Sequence, residues 1–311
     1  MKQHNRDKNF TFVVKLFIKY KKNMILPNFI LHSRKNKSWN ESGIDSFNEC
    51  RDREHVKTSP HPVIYQYNSR GFRDTEWPST IEELQDCIWC VGDSFTVGVG
   101  SPLEHTWVNI LQNKTRQRCI NISLDGASNK WIARKVIEIL KIIKPKLIVI
   151  QWSYIHRDEL NDNILSDEDR RMYILENNNI NELKIANFKL IQNVESFKDQ
   201  CKIIHSFIPD ATLLDHAHND DLWEAVKGNS WPVLPSTLDE FNCLDKNIVN
   251  ELKDFNVYDV LYFYYQLTDR IMYVPEIVRL DLARDAHHYD VITATNFVDQ
   301  VENLISDLQL A

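Results

Sequence analysis

Short apolar runs alternate with longer amphipathic stretches along most of this chain. Runs with the length of buried β-strands lie at residues 87–91, 119–123, 147–152 and 202–208, and a last strand is expected near 277–280. An uninterrupted apolar run bounded by turn-forming residues is typical of a strand that is covered on both faces. Strands that alternate with helices in this way predict an α/β fold with a central parallel sheet.

The stretches between the apolar runs carry helix signals. Residues 131–143 have apolar positions at helical spacing, with Ser128 as the N-cap and a Lys-Pro pair as the stop. A second helix is predicted over residues 101–113 because Ser101 is followed by proline at the first helical position and glutamate at the third. A final helix is predicted over residues 291–309.

The chain divides into a basic extension and one larger domain. Residues 1–57 hold 13 Lys and Arg against six Asp and Glu, whereas the remaining residues hold 24 against 38. We interpret residues 1–60 as a basic N-terminal arm or extension. Residues 61–311 are predicted to form the α/β domain, with a helical insertion near 157–200 and a loop-rich insertion near 210–236. The acidic main body is not expected to bind nucleic acid.

The most apolar N-terminal stretch, residues 10–20, is interrupted by Lys15 and Lys19. It is too short for a transmembrane span and too charged for the apolar region of a signal peptide. We therefore expect a cytoplasmic protein with no transmembrane segment. The sequence carries no signal of oligomeric state.

Residue usage excludes several kinds of site. Only seven glycines occur, and the pair Gly98-x-Gly100 lacks the third glycine of a dinucleotide-binding loop. Six cysteines without regular spacing make no disulfide framework, and the C-x-x-C that begins at Cys87 lies inside a predicted strand. An Asp-His-x-His segment at residues 215–218 has metal-ligand residue types but lies in a predicted loop. We predict neither a metal nor a cofactor.

Gly92-Asp93-Ser94 follows directly on the first predicted strand. A serine on a tight turn at the carboxyl end of a parallel strand presents its hydroxyl group and a backbone N–H, two requirements of an activated nucleophile. The segment is not the G-x-S-x-G elbow, since Thr96 occupies the second glycine position. Ser94 is therefore a candidate nucleophile, with a helix-capping serine as the structural alternative.

Asp285 and His288 stand three residues apart, just before the last predicted helix. At this spacing a carboxylate on one turn holds the imidazole Nδ1–H while Nε2 faces a serine from elsewhere in the fold. Ser94, His288 and Asp285 are thus a candidate catalytic triad. His287 is expected to be a neighbour of the imidazole, and a loop or capping histidine is the alternative role for His288.

These segments resemble the first and last sequence blocks of the SGNH hydrolases, also called GDSL-type hydrolases. Residues 121–128 are similar to the family block whose glycine, here Gly126, contributes a backbone N–H to the oxyanion hole. The resemblance covers residues 85–155 and 200–305. It implies a flavodoxin-like three-layer α/β/α sandwich. Family members mostly hydrolyse esters, including O-acetyl groups on glycans, and some transfer acyl groups.

One family block is altered in this chain. After the third strand the family usually reads G-x-N-D, and its asparagine donates to the oxyanion, whereas residues 151–157 here read Q-W-S-Y-I-H-R. Loss of one oxyanion donor typically lowers kcat by about 10²–10³. The resemblance implies the N–H groups of Ser94 and Gly126 as donors. It leaves Ser153, Tyr154 and Asn129 as alternatives for the third.

The resemblance implies a serine hydrolase that cleaves a small-molecule or glycan ester, such as an O-acetyl ester, through an acyl-enzyme. Two alternatives stay open. One is acyl transfer by the same triad. The other is a catalytically idle domain used for binding or assembly, which the altered block motivates. The family mechanism implies no cofactor and no metal.

Overall fold

A computed structural model describes residues 29–31, 33–40, 62–154, 157, 180–208, 272–274 and 279–310 of the 311-residue chain. In chain order its strands are β1 (Ser38–Asn40), β2 (Ile64–Gln66), β3 (Ile88–Gly92), β4 (Cys119–Ser123), β5 (Leu147–Trp152), β6 (Lys202–Phe207) and β7 (Met272–Tyr273). Its α-helices are α1 (Ile81–Gln85), α2 (Ser94–Val97), α3 (Trp107–Thr115), α4 (Asn129–Ile142), α5 (Ile180–Glu195) and α6 (Val291–Leu310).

Strands β3 to β7 form a parallel sheet in the order β4-β3-β5-β6-β7. Counted from β3 as the first strand, this is the 2-1-3-4-5 order of flavodoxin-like folds. The chain passes to one side of β3 for β4 and to the other side for β5. The carboxyl ends of β3 and β5 therefore form the topological switch point, where ligands bind in sheets of this kind.

Helices cover both faces of the sheet. Along β3, Trp89 and Val91 pack in one apolar cluster with α4 and α5, whereas Ile88 and Cys90 pack in a second cluster with α3 and α6. The alternation follows from the two-residue period of a strand. These three layers and the parallel sheet confirm the predicted fold class. Cys87 lies in the first cluster and Cys90 in the second, so the C-x-x-C residues are on opposite faces.

Helix α4 begins as the sequence predicts, and α3 does not. The Ser128 hydroxyl caps α4 by accepting the N–H of Trp131 at 3.2 Å. The helix predicted to begin at Ser101 instead begins at Trp107, with Thr106 as its N-cap, after a 3₁₀ turn at Leu103–His105. The predicted start was wrong: the hydroxyl that accepts an N–H at the beginning of α3 is that of Thr106, from Asn109 at 3.4 Å, whereas the Ser101 hydroxyl donates to Asp290 at 2.9 Å.

Part of the predicted basic extension packs on the domain. Phe29 is fully buried and its ring centroid lies 5.9 Å from that of Trp89. Strand β1 pairs antiparallel with β2. The rest of residues 1–60, the loop-rich insertion near 210–236 with its Asp-His-x-His segment, and residues 277–278 of the expected last strand lie outside the described residues. The prediction of a strand near 277–280 was wrong for residues 279–280, which are not part of a strand, and the last strand of the described sheet is β7.

Helix α5 lies within the predicted helical insertion, of which residues 158–179 are also outside the described part. Among the described helices, none has the length and apolar character needed to cross a membrane.

Candidate active site

Ser94 begins the short helix α2 immediately beyond the end of β3. Asp93 caps this helix, because its Oδ1 accepts the N–H of Phe95 at 3.0 Å. Close packing requires glycine at position 92, since a Cβ there would stand 2.0 Å from Thr96 Oγ1. Ser94 is 1% exposed. The predicted nucleophile is thus held at the switch point of the sheet.

Asp285 and His288 form a hydrogen-bonded pair in the loop before α6. His288 Nδ1 lies 2.5 Å from Asp285 Oδ2, and Asp285 Oδ1 accepts the backbone N–H groups of His287 and His288 at 3.0 Å each. Burial alone would raise the pKa of Asp285. The charge of His288 and these hydrogen bonds outweigh it and hold the pKa below its usual range. The carboxylate is therefore ionised and oriented to hold the imidazole.

The loop that carries this pair is fastened to the segment after Ser94. Gly100 O accepts the N–H of Arg284 at 3.1 Å. The rings of Phe95 and His288 pack with their centroids 4.4 Å apart. Ala286, between the acid and the histidines, has a φ of +63°, a strained conformation for a residue other than glycine. The fold therefore brings the proposed base beside the residue that follows the proposed nucleophile.

Two buried polar atoms of this site have no hydrogen-bond partner among the described residues, Ser94 Oγ and His288 Nε2. These are the two atoms that a triad joins. They are not hydrogen-bonded to each other in this conformation, although catalytic hydrogen bonds are often long without substrate. An unpaired buried polar atom is destabilising in a fold and is a common mark of a functional site.

The backbone N–H groups of Ser94 and Gly126 make no hydrogen bond within the described part of the chain. Gly126 follows β4 with a φ of +73°. The loop that carries it is tied to the end of β3, because Leu124 donates its N–H to Gly92 O at 3.3 Å. Both expected oxyanion donors are therefore unoccupied.

Two of the three alternatives for a third oxyanion donor are engaged elsewhere. Asn129 Nδ2 donates to Ser153 O at 2.9 Å and to Asn187 Oδ1 at 2.6 Å, which uses both of its hydrogens. The Ser153 hydroxyl donates to Asp93 Oδ2 at 2.6 Å. Tyr154 is buried, and its ring packs edge-on against Phe95. These contacts stabilise the turn after β5 and leave Asn129 and Ser153 no hydrogen for an oxyanion.

Sequence reasoning missed the role of a buried arginine. Arg73 donates to the backbone carbonyl oxygens of Ile64, Val97, Gly98 and Ser101. Its guanidinium also lies 4.4 Å from the ring centroid of Tyr65. The available signal was the turn sequence at residues 68–74, which ends in Arg-Asp and precedes the nucleophile strand. Arg73 thus stabilises the turn at residues 97–101, which follows Ser94.

A second missed feature is a polar chain through the core. The Thr96 hydroxyl donates to Gln151 Oε1 at 3.1 Å, and Gln151 Nε2 donates to the Tyr289 hydroxyl at 3.1 Å. All three side chains are buried. These hydrogen bonds link α2, which begins at Ser94, through β5 to the residue after His288. A glutamine in an apolar strand was the only sequence signal.

His287 lies at the edge of the pair. Its ring centroid is 4.9 Å from that of His288 and 5.7 Å from that of Phe95. Burial, followed by the charges of His288 and two arginines, lowers the pKa of His287 to about 3, although Asp285 opposes the shift. His287 is therefore neutral at physiological pH, and with so low a pKa its ring is a weak proton acceptor.

No protein-family model matches the sequence, and no curated protein matches it. Solved structures that are similar include TesA, at 14% identity and a TM-score of 0.41, over 71% of this chain and 99% of that chain. A member of the lipolytic protein G-D-S-L family from Veillonella parvula has 13% identity and a TM-score of 0.39, over 70% and 97%. A family 3 carbohydrate esterase from Clostridium thermocellum has 14% and 0.38, over 71% and 95%.

At these identities and TM-scores the likeness assigns no activity or substrate to this chain. The solved structures that resemble it do include GDSL-type hydrolases, the family that its sequence motifs resemble.

Proposed function

We propose that this protein is a serine esterase or acylhydrolase that works through an acyl-enzyme. One observation carries the proposal. The ionised Asp285 holds His288 beside the turn of Ser94, while Ser94 Oγ and His288 Nε2 are buried without a hydrogen-bond partner among the described residues. Buried polar groups with a purely structural role are usually satisfied by neighbouring atoms.

In the proposed reaction Ser94 Oγ attacks the ester carbonyl carbon and His288 Nε2 accepts the hydroxyl proton. The C–O bond to the alcohol then breaks, and His288 delivers that proton to the departing oxygen. A water molecule next attacks the acyl-enzyme, gives a proton to His288, and releases the acid as Ser94 recovers its proton. Asp285 fixes the imidazole tautomer and stabilises the imidazolium. The N–H groups of Ser94 and Gly126 would hold the oxyanion.

The proposed substrate follows from the family resemblance. A short acyl group, such as acetyl on a glycan hydroxyl, is the first candidate, and simple aryl acetates are the convenient surrogate. A cytoplasmic location stays a prediction.

The test is labelling of the full chain by a fluorophosphonate, which reacts with an activated serine. We expect labelling of the wild type, none for Ser94→Ala, and a loss of at least about 10²-fold in rate for His288→Ala. Ser196→Ala is the matched control, because this serine is exposed and its hydroxyl donates to Asn193 O, at 2.7 Å, at the end of its own helix. Absence of wild-type labelling, or equal labelling of Ser94→Ala, would overturn the proposal and favour the idle binding domain.

A further inference from the structure

A fully buried acid precedes the proposed nucleophile. The side chain of Asp93 has no exposed surface. Its Oδ1 caps α2, and its Oδ2 lies 2.6 Å from Ser153 Oγ and 2.6 Å from Arg157 Nη1. The proposed reaction places a second negative charge, the oxyanion, at the next residue, Ser94. Two negative charges would therefore lie at adjacent residues in a buried space.

Arg157 reaches Asp93 from the other side of the switch point, beyond the end of β5. Its side chain is 9% exposed. Its guanidinium carbon lies 5.0 Å from the ring centroid of Tyr154, and Nη1 also lies 3.1 Å from Ser153 Oγ. A carboxylate, a hydroxyl and an aromatic ring thus fix the position of this cation. It stands in the segment where the family asparagine is missing.

The effect of the Asp93–Arg157 pair on the proposed reaction follows from its charges. Solvent screens buried charges weakly, so an uncompensated carboxylate would oppose the oxyanion. Across about 6 Å, at an effective dielectric constant near 20, such repulsion slows the reaction by on the order of 10²-fold. A guanidinium in direct contact with the carboxylate cancels most of this field.

We propose that Arg157 is a positioning residue that neutralises Asp93 and thereby permits negative charge to form beside Ser94. It acts through Asp93 and not by contact with the substrate. The inference rests on the proposed function, because it concerns the same reaction. It also accounts for the altered block. Where the family has an asparagine that donates to the oxyanion, this chain has Arg157, which neutralises a carboxylate that would oppose the oxyanion.

The test compares four variants of the full chain in fluorophosphonate labelling rate and aryl acetate kcat and KM, with thermal unfolding as the check on folding. Arg157→Gln should label about 10²-fold more slowly, with kcat reduced and KM nearly unchanged. Arg157→Lys keeps the charge and should stay within about tenfold of wild type. Asp93→Asn keeps a good cap and removes the acid. The double variant Asp93→Asn/Arg157→Gln should recover at least tenfold over Arg157→Gln.

Recovery in the double variant is the decisive result, since it shows that Arg157 is needed only while Asp93 is charged. If Arg157→Gln labels at the wild-type rate, or if the double variant is as slow as Arg157→Gln, the inference fails while the serine hydrolase proposal stands. If the wild type is not labelled, both fail. Should Arg157→Gln not fold, the labelling rates of Arg157→Lys and of the double variant are compared with that of Asp93→Asn. A double variant that labels much more slowly than Asp93→Asn overturns the inference.

Discussion

Gly100 lies against Asp285 so closely that a Cβ on the glycine would stand 3.1 Å from the carboxylate Oδ1. The same Cβ would stand 2.9 Å from that of Ala283, and the φ of Gly100 is +79°. The turn after the proposed nucleophile and the loop that holds the proposed base are therefore fitted directly to each other. With the hydrogen bond from Arg284 to Gly100 O and the packing of Phe95 on His288, this contact holds Ser94 and His288 near each other.

Gly100→Ala should therefore destabilise the protein more than Gly126→Ala. Both glycines have a positive φ, which costs an alanine about 1 kcal/mol. A Cβ on Gly126 meets no atom within 4 Å, whereas one on Gly100 collides with the Asp285 loop. We expect the free energy of unfolding to fall by about 1–3 kcal/mol more in Gly100→Ala, as measured by urea denaturation. Equal losses in the two variants would contradict the proposed fit.

Arg73→Met should be among the most destabilising single substitutions of a non-catalytic residue. It removes a hydrogen-bond donor from four carbonyl oxygens, three of which lie in the turn at residues 97–101, although Gly98 O keeps the N–H of Ser101. Unsatisfied buried acceptors cost about 1–3 kcal/mol each, so we expect a loss of about 3 kcal/mol or more in unfolding free energy.

The matched control for Arg73→Met is Arg70→Met in the same sequence turn. The guanidinium of Arg70 lies over the Trp77 ring at 5.2 Å, and the residue is partly exposed. Its loss should cost about 1 kcal/mol or less. A comparable loss in both variants, measured by denaturation at one pH, would show that Arg73 is not the support of this turn.

The sequence predicts best what local pattern determines. Strands β4 and β5 have the predicted bounds, because each is a short and mainly apolar run, although Asn121 interrupts the run in β4 and Gln151 the run in β5. Ser128 caps α4 as predicted, since a cap uses only the next turn of its own helix. The Asp285–His288 pair is also determined locally, because the two residues stand three positions apart on one turn.

Contacts between distant segments defeat the same reasoning. Ser101 has the sequence signature of a cap but bonds to Asp290, 189 residues away, so α3 begins later. Asn129 is a candidate oxyanion donor by its place beside the glycine block. Its amide instead holds the turn after β5 and contacts α5. No spacing rule reveals either contact, because each depends on which loops meet at the edge of the sheet.

Asp285→Asn should lower the rate of acyl transfer by about 10³–10⁴-fold, because an amide favours the wrong imidazole tautomer. Its labelling rate by the fluorophosphonate should fall similarly. Retention of most activity would show that His288 does not depend on Asp285 for orientation, although the two side chains are in contact.

The same variant tests the ionisation of Asp285 through stability. Its pKa is held below the ordinary value, so the carboxylate stabilises the fold above about pH 4, and this contribution is lost as the pH falls further. The unfolding free energy of the wild type should therefore approach that of Asp285→Asn as the pH falls from 5 to 3. A difference that is constant over this range would mean that the folded and unfolded pKa values of Asp285 are equal.

His287 gives the complementary prediction for the pH dependence of activity. Its pKa of about 3 means that the ring is neutral throughout pH 5–8, so it adds no ionisation to the pH–rate profile there. His287→Gln should change the rate by a constant factor and leave the midpoints of the profile in place. A shifted midpoint would instead identify His287 as a titrating member of the site.

The low pKa of His287 also makes a prediction for stability. Since the unfolded ring titrates near 6.5 and the folded ring near 3, protonation favours unfolding as the pH falls below about 6.5. His287→Gln should therefore retain, at pH 5, a larger share of its neutral-pH unfolding free energy than the wild type does.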